Sequence, residues 1–182
     1  MRVFTKTALF AALLCVGGAI SDHAEGMMQR RTVAAYRVEL HVLPAEPFFS
    51  KEEVAEKQVK EGMEVEGGAT PVALNADSHP NHHLVVHIFR RRTGAVVTDA
   101  RVTMSFVPID AKGRATGAPT DVPVVVMQAI GGSAASTHYG NNVTMPPDRY
   151  NVVVNVNDKR LVFPVTVSDA PAMPMQMNDM KM

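Results

Sequence analysis

The stretch Ala35-Tyr-Arg-Val-Glu-Leu-His-Val-Leu43 alternates without a break. Tyr36, Val38, Leu40 and Val42 point one way, and Arg37, Glu39 and His41 point the other. Period two with one polar face predicts a half-buried strand. Pro44 and Pro47 end it, because proline cannot donate to a sheet ladder. The same period recurs downstream. Strands are expected at His83 to Phe89, Arg101 to Val107, Val122 to Ile130, Tyr150 to Val156 and Leu161 to Val167, with turn residues between them. Pro164 is expected at an edge or a bulge. Ser50-Lys-Glu-Glu53 has the form of a capping box, so Glu52 to Glu61 is expected to hold a short, charged surface helix. About seven short strands at regular spacing predict an all-β, antiparallel β-sandwich with a small helical insertion over residues 33–168.

The ends of the chain read differently. Arg2 and Lys6 precede a short apolar run, Ala8 to Ala19, which closes in small residues. That is the pattern of a signal peptide, expected over residues 1–21, and the run is too short to span a membrane. Cys15, the single cysteine, falls inside it. Leu14 stands before it where a lipidation motif wants a small residue, so Cys15 is read as signal core. The mature chain then has no thiol for a disulfide or a cysteine metal cluster. Removing Arg2 and Lys6 from the 18 basic residues leaves 16 against 18 acidic. No basic excess exists for reading phosphate, and no nucleic-acid partner is expected. Residues 169–182 carry Met173, Met175, Met177, Met180 and Met182 and are expected to form a flexible, Met-rich tail, its thioethers either a compositional accident or a means of collecting Cu(I).

The chemistry-bearing residues are histidine and methionine. His83 and His87 share a strand face, but their Cα atoms stand about 13 Å apart at roughly 3.3 Å per residue, too far for one ion. A metal site must therefore recruit other strands, and the candidates are Met127, which ends Val124-Val-Val-Met127, and His138. The bland readings are core filling for Met127 and a turn histidine for His138. Thioether with imidazole, without thiolate, selects copper first, with iron or another divalent metal as alternatives. No Gly-x-Ser-x-Gly nucleophile elbow occurs, and no enzyme activity is expected.

Two segments, Asn81-His-His-Leu-Val-Val-His-Ile88 and Thr137-His-Tyr-Gly-Asn-Asn-Val143, resemble the periplasmic iron-transport accessory proteins, a family that includes treponemal membrane-antigen lipoproteins. His83-Leu84 matches the family's His-Leu strand start, and His138-Tyr139-Gly140-Asn141-Asn142 its His-Tyr-Gly motif. The resemblance implies an immunoglobulin-like sandwich and a homodimer. It also implies copper held by His and Met near the dimer interface, here His83, Met127 and His138, and a periplasmic role beside an inner-membrane iron or metal permease. Val85-Val86 stands where the family has an acidic residue, and the family's C-terminal histidine has no counterpart after His138. His79, His41 or a tail methionine are the substitutes available. The other reading is a non-catalytic structural or protein-interaction sandwich of the cell envelope.

Overall fold

The computed structural model describes residues 27–66 and 79–168. The segment expected to be a signal peptide, Cys15 and the Met-rich residues 169–182 lie outside the described residues. The chain runs β1 (Met27–Val33), β2 (Tyr36–Pro44), β3 (Phe48–Phe49), α1 (Lys51–Lys57), β4 (Met63–Val65), β5 (His82–Arg90), β6 (Val102–Pro108), β7 (Thr120–Val122), β8 (Val125–Ala129), β9 (His138–Val143), β10 (Asp148–Val156) and β11 (Lys159–Val167). A 3-10 turn at Ala134–Ser136 precedes β9. The expectation of a largely β chain with one small helix is met. Eleven strands among the described residues replace the seven expected, because several are two or three residues long and carry no readable alternation.

Seven strands form one sheet in the order β1-β2-β5-β9-β8-β4-β3, and four form the other, β11-β10-β6-β7. Pairing is antiparallel apart from the short parallel pair β3 with β4. The alternation dictates which residues meet between the sheets. Val38, Leu40, Val42, Leu84, Val86 and Ile88 come from the larger sheet, and Met104, Phe106, Val152, Val154 and Phe163 from the smaller; all belong to one buried cluster. Each such side chain taken fully out of water stabilises the fold by about 1.5–3 kcal/mol.

Three local outcomes follow from residue chemistry. The segment Val122 to Ile130, expected as one strand, is two. Pro123 cannot donate to a ladder, so the chain leaves the smaller sheet at Val122 and enters the larger at Val125. Pro164 lies in β11, an edge strand of the smaller sheet, where its missing N–H costs no ladder bond. The helix is α1, shorter than Glu52 to Glu61. Ser50 Oγ accepts from the Glu53 amide while the Glu53 carboxylate accepts from the Ser50 amide, the reciprocal box that starts it.

What matters for the site is that the larger sheet is also covered on its outer face. After β2 the chain does not turn back. The Ala45 amide donates to Asn81 O, and the Glu46 backbone bonds the Asn142 side chain, so this strap crosses the ends of β5 and β9 on its way to β3. Phe48 on the far side of the strap stands edge-on to the His83 ring at 5.5 Å. Val65, Val85 and Met127 form a second, separate apolar cluster with Phe48, Met63 and Val125.

Candidate metal centre

His138 was expected in a turn. It opens β9 instead, and every residue of that strand is buried, because β5 pairs on one side of it and β8 on the other. Gly, Asn and Asn are poor strand formers. Here their polar groups are satisfied locally: Asn141 Nδ2 donates to Pro123 O and Asn141 Oδ1 accepts from the Asn142 amide.

Register then sets the face. Met127 pairs directly with His138, and Val65 with Met127. Val86 pairs with Tyr139, so the next pair in that register is His87 with His138. Glu39 pairs with His87, and His41 with Val85. One row of outward side chains therefore reads Glu39, His87, His138, Met127 across four adjacent strands, with His41 diagonal to His87. His83 lies two residues up β5 from Val85, opposite Asn142. Gly140 faces Val85 and leaves no side chain between His138 and Asn142. Across that gap the His83 and His138 rings come within 5.8 Å, at 88° to each other.

The imidazoles form a string. Ring centroids are 5.0 Å apart for His41 and His87, 5.1 Å for His87 and His138, and 5.8 Å for His138 and His83. Met127 and His83 are completely buried, and His138 is nearly so. The expected trio of His83, Met127 and His138 thus shares one face of the larger sheet. His41, one of the substitute ligands named above, joins them, and so does His87, which was set aside as too far from His83. The distance from His83 to His87 along β5 is real, but His138 on the neighbouring strand fills it. Parity held the clue for His41, which lies on the polar face of β2 beside His87. His82, of opposite parity, and the exposed His79 stand apart from the string.

Hydrogen bonds fix two of the rings. Asn142 Nδ2 donates to Glu46 O at 2.6 Å, and its Oδ1 accepts from the Glu46 amide at 3.3 Å. The same Oδ1 lies 2.9 Å from His83 Nδ1, so Nδ1 must carry the proton. His138 Nδ1 lies 2.7 Å from Ser136 O, a pure acceptor, so it too is protonated there. Both Nε2 atoms are then lone-pair donors, and both are buried without a hydrogen-bond partner. His41 Nε2 is likewise buried without a hydrogen-bond partner. An Nδ1–H held by a carbonyl oxygen with Nε2 left free is how proteins orient imidazole toward a metal. Burial keeps these rings neutral. The His83 pKa is lowered to about 4 by desolvation and by His138, against the opposing Asn142 bond. That of His87 is lowered to about 4 by desolvation, His138 and His41. His41 and His138 are lowered by desolvation as well.

Among the described residues, no three His, Cys, Asp or Glu side chains close on one point as they stand. The rings run in a line, edge-on at two contacts and tilted by 36° between His87 and His138, and a thioether is needed to complete a set. The donor chemistry fits a soft ion: imidazole Nε2 of His83 and His138, with the Met127 thioether on β8 opposite His138.

Folding is linked to the charge on these rings. An unfolded histidine titrates near 6.5, whereas folded His83 and His87 titrate at about 4. The unfolded chain binds more protons between those values, so stability is full above about pH 6.5 and is lost as pH falls toward about 4. Thermal unfolding of the metal-free chain should show Tm falling across that window, and His87→Gln should reduce the fall. A Tm unchanged from pH 7 to 4.5 would contradict the buried, neutral assignment.

Comparison with known proteins finds no matching family model, no similar curated protein and no similar solved structure.

Proposed function

We propose that this chain is a non-catalytic β-sandwich that binds a soft metal ion, copper before iron, between His83, Met127 and His138. The observation that carries the reading is the pair of buried Nε2 lone pairs, each on a ring whose Nδ1–H is tied down. A buried polar atom without a partner costs free energy unless something binds it, and these two belong to rings whose centroids lie 5.8 Å apart. The resident ion would be ligated by Nε2 of His83 and His138 and by the Met127 thioether, and it would supply a reversible cargo site. Asn142, Glu46 and Ser136 hold the ligands in orientation.

The further reading is an immunoglobulin-like accessory protein of the periplasm. It would act as a homodimer and support copper or iron uptake beside an inner-membrane permease. Its support is the resemblance at His83-Leu84 and His138-Tyr139-Gly140 together with the Tyr150 hydroxyl, which donates back to Pro146 O at 2.8 Å. Such a tyrosine corner near a strand start recurs in immunoglobulin-like sandwiches. The competing reading, a structural or protein-interaction sandwich of the cell envelope, draws on the packing of the rings against one another in a line and the lack of a convergent triple among the described residues.

Cu(I) titration against a competing chelator separates the two. The metal reading expects one equivalent bound by the full chain. It also expects Asn142→Leu, which frees the His83 ring without touching a ligand, to weaken binding by about 10–100-fold. No competition for copper by the wild-type chain would favour the structural reading.

A further inference from the structure

Met28 is the exposed large hydrophobic of the described residues, at 51%. It lies on the edge strand of the larger sheet, β1, where a water-facing thioether contributes nothing to packing. Register explains its position: Met28 pairs directly with His41, on the outer face of the sheet. Directly opposed residues of an antiparallel pair bring their Cβ atoms to about 5 Å. His41 Nε2 is buried and unpartnered, and the His41 ring stands 5.0 Å from that of His87. Thioether, imidazole and imidazole therefore meet at the solvent end of the string, repeating the donor set of the buried end.

We infer that Met28, His41 and His87 form a second, outer soft-metal site that takes a monovalent copper ion from solution and passes it inward along the histidine string to His138 and His83. This rests on the metal-binding reading above and adds the route. A fully covered ion cannot be delivered in one ligand exchange. Consecutive rings 5.0, 5.1 and 5.8 Å apart let an ion gain the next imidazole before it leaves the last. That spacing accounts for an arrangement that is a line rather than a closed triple. Met28, exposed, lies beside the outer end of the line at His41, and Met127, completely buried, pairs with His138, the ring before His83. Glu39, beside His87 in the row, is already bonded to Arg30 at 2.6 Å, so the outer site stays a neutral-donor site suited to a soft monovalent ion.

The test is an anaerobic Cu(I) titration of the full chain carrying 13C-labelled methionine methyl groups, read by NMR, with Met28 and Met127 assigned from their Leu variants. The first equivalent should move the Met127 methyl, and further Cu(I) should move that of Met28. Met28→Leu should leave the affinity of the Met127 response unchanged and slow Cu(I) uptake from a chelator by about tenfold. His41→Gln should remove the Met28 response, which a simple surface thioether would keep. A Met127 response with no Met28 response, or loading by Met28→Leu as fast as wild type, would overturn the outer site and leave the buried one standing. No response at Met127 would overturn the buried site and this route with it.

Discussion

Gly140→Ala should destabilise the protein by roughly 3 kcal/mol or more, among the largest effects a single added methyl can have. The cause is backbone against backbone. A Cβ at Gly140 would overlap Leu84 O and lie 2.8 Å from both Val85 Cα and Val85 Cγ1. A flexible side chain could step aside, but the β5 backbone is held by β2 on its other edge and cannot. The strands would part where β9 is most buried, and the gap that lets His83 and His138 approach would be filled. Chemical denaturation of the variant checks this, with Gly131→Ala as the comparison. A Cβ added at Gly131 would have nothing within 4 Å, so the cost there comes only from its φ of 72°. Equal stability losses in the two variants would mean that β5 and β9 do not pack as closely as the register requires.

His138→Ala should lower Cu(I) affinity by at least about a hundredfold, more than any other single change at the site. His138 is the one ring that neighbours both His83 and His87 in the string and pairs with Met127, so its loss interrupts every route to the buried end. Met127→Leu keeps apolar bulk in the Val65–Val85 cluster and removes only sulfur, so its cost should appear in Cu(I) affinity and hardly in stability. His83→Ala should fall between them. Competition titration with circular dichroism on each variant distinguishes lost ligation from lost folding. Unchanged affinity in both His138→Ala and Met127→Leu would move copper binding off this face.

The sheet character was legible because alternation in β2, β10 and β11 follows directly from one buried face per strand. The short strands β3, β4 and β7 were not, since two or three residues carry no period. Pro123 stood in plain view, yet its meaning depended on a second sheet being there to receive the chain. At the site, His83, Met127 and His138 were found by donor type and motif. His41 was named only as a substitute ligand, and His87 was set aside because separation along one strand says nothing about what the neighbouring strand places between. The strap at Ala45 and Glu46, which buries the face and fixes the His83 tautomer through Asn142, has no local signature at all. It is a product of β2 and β3 lying far apart in one sheet.

The central claim is tested most directly by X-ray absorption at the copper edge on the full chain loaded with one equivalent of Cu(I). Mixed coordination by imidazole nitrogen and thioether sulfur is expected, with the sulfur lost in Met127→Leu and the imidazole signal reduced in His138→Ala. Sulfur-only coordination that both variants leave unchanged would place the ion on the terminal methionines and contradict the account.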